Sequence, residues 1–292
     1  MSKTDLYLNS DSSVAHLTSG VDPIVTIFGV PFDATSTYRT GTRFGPNAIR
    51  EAFMNIEIYS KRLGVDLENS SIEDIGNLSR SGNVDDMCRV VESITREIVE
   101  RGRIPAILGG EHSITNGSFR ALDDCTLIVF DAHLDMRDEF EGLKLSHATF
   151  LRRLVDDGKV SKLIHVGSRA ATKTEWDFTK EHGFSIIDAD MMHNGERGLK
   201  TFQRSLENTD RIYVSIDIDA IDPAFAPGVA NPEANGLSTQ LILECIYALK
   251  GKELVGFDIV ELCPPYDHGE TAILAARLLA ELTSLVELKR RP

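Results

Sequence analysis

Asp131-Ala132-His133-Leu134-Asp135 places two carboxylates and an imidazole at alternate positions directly after the apolar run 126–130. A short, β-branched apolar run bounded by polar residues reads as a strand buried on both faces, so these side chains fall at its carboxyl end. If the extended chain continues, alternation turns Asp131, His133 and Asp135 to one side, where they converge. Mixed Asp and His ligation favours a divalent ion of the Mn²⁺ or Zn²⁺ kind over the all-oxygen sites of Ca²⁺ and Mg²⁺. A second apolar run, 211–216, delivers Asp217 and Asp219 in the same manner before Asp222-Pro223 breaks the strand. A third, 104–108, runs into Gly109-Gly110-Glu111-His112-Ser113. Parallel strands set their carboxyl ends side by side, so the three deliveries describe one shared site. Asp131, Asp135, Asp217, Asp219, His112 and His133 are enough to hold two metals.

The elements that must position these residues alternate in type. Strand-like runs fall at 24–30, 71–75, 104–108, 126–130, 163–166, 184–187, 212–216 and 254–260. Helical periodicity occupies 46–62, 84–101, 113–122, 149–156, 174–181, 197–206, 238–249 and 269–289. Such alternation builds a mainly parallel, about eight-stranded central sheet with helices on both faces, a three-layer αβα sandwich. The 292 residues read as a single α/β domain over 1–292, and the apolar last helix is expected to pack on the sheet.

Composition narrows the function. A formal net charge of −14 argues against nucleic acid and permits a small cationic substrate, while bound divalent cations would offset part of it. The polar stretch 1–20 has no basic start followed by an apolar core, and later apolar runs are too short to span a bilayer, so a cytoplasmic protein with no membrane partner is expected. Cys88, Cys125, Cys245 and Cys263 form no C-x-x-C pair and read as reduced core thiols. The loop Thr40-Gly41-Thr42-Arg43-Phe44-Gly45-Pro46 fits neither nucleotide-binding glycine pattern.

The motifs together resemble the ureohydrolase family, the arginase and agmatinase group, and most of all its archaeal-type agmatinases. Seven carry the likeness, in family order: Gly29-Val30-Pro31-Phe32-Asp33, Gly41-Thr42-Arg43-Phe44-Gly45-Pro46, Gly109-Gly110-Glu111-His112-Ser113, Asp131-Ala132-His133-Leu134-Asp135, Ser146-His147-Ala148-Thr149, Ser215-Ile216-Asp217-Ile218-Asp219 with Asp222-Pro223, and Asp258-Ile259-Val260-Glu261. The resemblance implies a site with two Mn²⁺ per chain and a metal-bridging hydroxide that cleaves a guanidino group to urea and an amine. It implies His112 and Asp135 on one metal, His133 and Asp219 on the other, and Asp131 and Asp217 bridging. Glu261 would anchor the guanidinium, His147 would shuttle a proton, and Asp135 would pass the hydroxide proton to the leaving nitrogen. A trimer or hexamer is implied as well. His16, His165, His182, His193 and His268 match no motif and read as surface or core residues. Ala148 stands where the family more usually has glycine, so the placing of His147 depends on whether that position needs positive φ.

The loop after Asp135 bears on the substrate. Asp138, Glu139 and Glu141 suit a distal ammonium, which favours agmatine, giving putrescine, or aminopropylagmatine. Arg137 and Lys144 could instead serve the carboxylate of guanidinobutyrate, and arginine would call for hydroxyl and amide side chains that the loop lacks. The wall Pro227-Gly228-Val229-Ala230-Asn231-Pro232-Glu233 also departs from the family's glycine- and threonine-rich form. Two rival readings are a non-catalytic, metal-binding regulatory subunit and a binuclear phosphohydrolase. The complete ligand set opposes the first, and the acidic character of the loops opposes the second.

Overall fold

Each strand-like run in the sequence forms a strand in the computed structural model, which describes residues 7–9, 23–70, 72–79 and 81–290. Most of the 1–20 stretch, His16 included, lies outside the described residues. The strands are β1 (Leu8–Asn9), β2 (Val25–Val30), β3 (Tyr59–Ser60), β4 (Val65–Asp66), β5 (Ile72–Leu78), β6 (Ile104–Gly109), β7 (Thr126–Phe130), β8 (Leu163–Val166), β9 (Ser185–Ile187), β10 (Arg211–Asp217) and β11 (Glu253–Val260). The α-helices are α1 (Gly45–Phe53), α2 (Val84–Glu100), α3 (Ile114–Arg120), α4 (Phe150–Asp156), α5 (Lys173–Glu181), α6 (Ala189–His193), α7 (Glu196–Ser205), α8 (Thr239–Ala248) and α9 (Glu270–Arg290).

The main sheet has nine strands in the order β1-β5-β2-β6-β11-β10-β7-β8-β9. Only the β1–β5 pair is antiparallel. Side-chain alternation divides the apolar residues of the central strands between two layers. Ile128 and Phe130 of β7, with Val214 and Ile216 of β10, join a core beneath Ile49 of α1, Phe202 of α7, Ile246 of α8 and Leu278 of α9. Leu127 and Val129 face Phe119, Leu151 and Phe178 of α3, α4 and α5 on the other side. A third cluster continues that layer, with Phe28 and Ile107 against Met87 and Ile94 of α2. Complete burial of such side chains contributes roughly 1.5–3 kcal/mol each. Leu278, Leu279 and Leu282 are almost wholly buried, so α9 packs on the sheet as its apolar pattern implies.

Two local features differ from the sequence reading. The helix expected over 46–62 stops at Phe53, and 59–66 instead carries the antiparallel β3–β4 hairpin. Gly64, at φ 68, lies in its turn, and Ser60 donates to Glu281 of α9 at 2.5 Å, which holds the hairpin on the last helix. The short helix α6 was not expected, although Asp188 caps it by accepting from the Met191 amide. The four cysteines are free thiols. No helix among the described residues is long and apolar enough to cross a membrane.

β6 and β7 are consecutive long strands of the main sheet, yet β11 and β10 lie between them. The strand order switches there, and the carboxyl ends of all four open onto one crevice, the position where open α/β sheets bind ligands.

Candidate metal centre

Close backbone packing prepares the crevice. At the end of β6, a Cβ on Gly110 would lie 1.9 Å from the Phe32 carbonyl oxygen, so only glycine lets this turn approach the end of β2. The Gly110 amide donates to Val30 O and the Glu111 amide to Phe32 O, both at 2.8 Å, and His112 is thereby directed inward. β7 ends at Phe130, and the next five residues are not an extended strand. A bend at Ala132 and a single bridge from His133 to Ala170 replace regular alternation, and Asp135 lies in the left-handed region at φ 50. A turn also separates Asp217 from Asp219. Asp217 Oδ1 accepts from the Asp219 amide at 2.8 Å and caps the 3-10 turn Ile218–Ala220. Glu261, just past β11, has φ 64 and donates its amide to Gly110 O at 2.8 Å. Left-handed backbone at two non-glycine residues costs roughly 1–2 kcal/mol each, so neighbouring structure must hold them there.

Five of the six expected ligands come together in two groups that share Asp131, and Asp135 adjoins the first of them beside His112. His112 Nδ1 lies 3.0 Å from Asp131 Oδ2, 3.1 Å from Asp217 Oδ2 and 3.4 Å from Asp135 Oδ2. His133 Nδ1 lies 3.0 Å from Asp219 Oδ2 and 3.5 Å from Asp131 Oδ1. Asp131 thus turns one oxygen to each half. Asp217 faces the His112 half, its other oxygen being taken by the Asp219 amide.

Two of the atoms facing inward lack hydrogen bonds. His112 Nδ1 and Asp131 Oδ2 are buried and close, yet neither has a hydrogen-bond partner. A lone pair facing a lone pair at that range fits a cation between them. The far side of the His112 ring fixes which nitrogen is free. Ser215 Oγ donates to Asp258 Oδ1 at 2.6 Å, so it must accept from His112 Nε2 at 2.9 Å, leaving Nδ1 as the ligating atom. Tyr213 and Thr115 hold the other Asp258 oxygen at 2.6 and 3.0 Å.

Electrostatics points the same way. Burial opposes a charged His112, but Asp131, Asp135 and Asp217 outweigh it and hold the ring well above the ordinary histidine range. Burial likewise opposes a charged His133, and Asp219 and Asp131 outweigh it. Burial, then the Asp131 charge, pushes Asp135 up to about 7. Asp217 is raised strongly by burial and by Asp219, and Glu261 by burial and by Glu111. Without cations, the cluster holds more carboxylate than its two imidazoles can balance.

A cavity of about 540 Å³ opens over the cluster, lined by Asp135, His147, Glu261, Glu233, Arg137 and Phe140 among others. Glu261 Oε1 accepts from the His112 amide at 2.8 Å, while its Oε2 is buried and without a partner. Burial, with the charges of His133 and His112, lowers His147 to about 4, so its ring is neutral near pH 7. Ala148 is not among the residues with positive φ, so replacing glycine there strains nothing.

The acidic loop does not behave as expected. Asp138, Glu139 and Glu141 are not among the lining residues. Asp138 is exposed, pairs with Lys144 at 2.8 Å and Arg153 at 2.7 Å, and these hydrogen bonds lower it to about 2. Arg137 and Phe140, from the same loop, take the lining positions instead, with the Arg137 guanidinium 4.7 Å from the Phe140 ring centre. Residues that the sequence reading gave no role are Thr35, Glu111, Ser215 and Asp258. Three of these sit inside motifs quoted for other residues, which is the signal that could have found them.

A three-layer α/β/α fold with paired Asp and His groups at the strand-order switch defines the class, a ureohydrolase-type hydrolase. The comparisons with known proteins agree. The arginase family matches residues 24–284. An agmatinase of Bacillus anthracis is 35% identical over 266 residues, 88% of this chain and 90% of that one. A guanidinobutyrase of Pseudomonas aeruginosa is also 35% identical over 266 residues, 87% of this chain and 83% of that one. The crystal structure of agmatine ureohydrolase of Thermoplasma volcanium matches with a TM-score of 0.87 at 36% identity, covering 96% of both chains. The chain belongs to the arginase family, and it is a hydrolase acting on guanidino compounds.

Proposed function

We propose that the protein hydrolyses agmatine to urea and putrescine, using two Mn²⁺ held by His112, Asp131, Asp135, His133, Asp217 and Asp219. The observation that carries this reading is the buried, unpartnered Glu261 Oε2, which shares a cavity with the ligand cluster. A buried carboxylate with one oxygen on the His112 amide and the other left without a donor suits a guanidinium, whose N–H groups can satisfy it. When bound, the two cations would lower the pKa of a shared water toward neutrality and so supply the nucleophile.

The chain's own residues do the rest. Glu261 holds the guanidinium so that its central carbon lies over the cluster, which turns a bimolecular encounter into an oriented one. Asp135, in the cluster and on the cavity wall, accepts a proton from the attacking water and delivers it to the nitrogen that leaves. The C–O bond forms first; the C–N bond then breaks with the proton from Asp135 on the departing nitrogen, and the hydroxyl proton left on the oxygen is released as urea forms and is taken up by the free amine. His147, neutral and on the same wall, moves protons between the site and solvent.

Relatives at equal identity carry the names agmatinase and guanidinobutyrase, so identity does not decide the substrate. Charge at the cavity supports the amine. Arg137 has Glu175 at 3.8 Å, whereas the Glu233 carboxylate, 45% exposed, has only the His133 ring at 3.9 Å. Among the described residues the surplus charge at the mouth is therefore negative, which suits a distal ammonium. Glu233→Gln should raise KM for agmatine about threefold, in line with an exposed ion pair, with kcat little changed. A wild-type enzyme that prefers guanidinobutyrate to agmatine would show that Arg137 governs the distal site instead.

A further inference from the structure

His147 is held by two residues to which the motifs assign no role. Thr35 lies in the loop between β2 and α1, and its hydroxyl donates to Glu111 Oε1 at 2.5 Å. The same oxygen accepts the His147 backbone amide at 3.0 Å and lies 3.2 Å from His147 Nδ1. A hydroxyl has one hydrogen and two lone pairs. Glu111 accepts from the Thr35 amide, the Thr35 hydroxyl and Ser113 Oγ, as an ionised carboxylate does, so the Thr35 hydrogen goes to it, Thr35 accepts from the ring, and Nδ1 carries the proton. Nε2 is then the basic nitrogen. It has no hydrogen-bond partner among the described residues, and His147 lines the cavity.

We infer that Thr35 and Glu111 form a buried relay that sets the tautomer and orientation of His147, so that Nε2 is the atom exchanging protons with the cavity. This rests on the proposed proton-transfer role of His147, in which Thr35 and Glu111 are positioning residues.

Both are anchored for the task. Glu111 is fully buried, and its carboxylate also accepts from the Thr35 amide at 2.7 Å and Ser113 Oγ at 2.6 Å. The Thr35 loop is tied at its base by Asp33, which accepts from the Gly41 amide at 2.9 Å and pairs with Arg43 Nε at 2.6 Å. Phe140 meets the His147 ring edge-on at 5.8 Å between centres, limiting rotation on the other side. The order of groups repeats that of Asp258, Ser215 and His112: buried carboxylate, hydroxyl, imidazole. There the hydroxyl frees Nδ1 for a cation, and here it frees Nε2 for protons.

Thr35→Val removes the hydroxyl at nearly constant volume, and Thr35→Ser restores it. The tautomer is read by long-range ¹H–¹⁵N correlation on metal-free, full-length protein, and kcat and KM on whichever guanidino compound the wild type hydrolyses. Expected are an Nδ1–H tautomer in the wild type, mixed tautomers in Thr35→Val, a kcat loss of roughly tenfold or more with KM nearly unchanged, and recovery of most of kcat in Thr35→Ser. An Nε2–H tautomer in the wild type would overturn the inference. So would wild-type kcat in Thr35→Val, or a Thr35→Ser enzyme as slow as Thr35→Val. If Thr35→Val does not fold, the wild-type tautomer decides. The tautomer needs no substrate, so a wild-type protein that releases no urea would count against the proposed function and not against this assignment.

Discussion

Ser215→Ala should weaken one metal position and spare the other. Ser215 is fully buried, and its hydroxyl is the only group hydrogen-bonded to His112 Nε2 among the described residues. Without it, Nε2–H faces no acceptor, and Asp258 Oδ1 loses its donor at 2.6 Å, although Tyr213 and Thr115 still hold Oδ2. The imidazole is then free to take the other tautomer or to turn, and either takes the Nδ1 lone pair away from Asp131 and Asp217. Loss of such an outer partner lowers metal affinity about 10–100-fold, which corresponds to roughly 1.4–2.8 kcal/mol. The His133 half makes no contact with Ser215 and meets the change only through the shared Asp131, so its affinity should fall much less, by about threefold at most. Calorimetric titration of metal-free protein with Mn²⁺ in competition with a chelator resolves the two steps. Denaturant unfolding of the same metal-free samples separates this from a general loss of stability, expected at roughly 1–3 kcal/mol. Equal weakening of both steps, or none, would refute the reasoning.

Three other outcomes follow from the same geometry. Asp74→Ala removes the carboxylate that pairs with the buried Arg50 guanidinium at 2.8 Å, leaving it the neutral acceptors Asn77 Oδ1 and Gly76 O, and should destabilise the fold by about 3 kcal/mol in denaturant unfolding. Gly110→Ala places a Cβ where the Phe32 carbonyl stands, so the ends of β2 and β6 must part; Mn²⁺ stoichiometry should fall before the far-ultraviolet circular dichroism changes. Asp135, Asp217 and Glu261 are raised in the fold by burial and neighbouring charge, so they favour the metal-free protein at low pH and that stability is lost as pH rises, for Asp135 between about 4 and about 7. His112 and His133, also raised, act with the same sign above the ordinary histidine range. His147 and His165, lowered to about 4 by burial, oppose this up to the ordinary histidine range, so metal-free protein should lose stability most clearly above about pH 6.5, while Mn²⁺ uptake releases protons and tightens with pH, both measurable by calorimetry in buffers of different ionisation enthalpy.

The strands were legible because burial on both faces demands unbroken apolar runs, and the chain places 126–130 and 211–216 between polar residues. The residues of the cluster were legible because acids and histidines crowd directly after those runs. The way they converge was not. Alternation predicted the clustering but not its geometry, since Asp135 lies in the left-handed region and Asp219 in a 3-10 turn, and no side-chain pattern announces either. The distal pocket was misread for a related cause. Asp138, Glu139 and Arg137 are adjacent in sequence, but loop geometry sends the acids to solvent beside Lys144 and turns Arg137 onto Phe140. The hydroxyls that fix the two imidazoles were invisible because Ser215 and Thr35 act only through partners far away in the chain. The β3–β4 hairpin was lost to a helical pattern that continued past Phe53, where contact with α9 overrides local periodicity.

The measurement that bears most directly on the central claim is urea release by the full-length protein offered agmatine, guanidinobutyrate, aminopropylagmatine and arginine, after Mn²⁺ loading and again after chelation. The account predicts two Mn²⁺ per chain, turnover with preference for agmatine, and loss of both on chelation with recovery when Mn²⁺ is restored. Two bound metals with no urea from any of these substrates, or urea release that survives complete removal of metal, would contradict it.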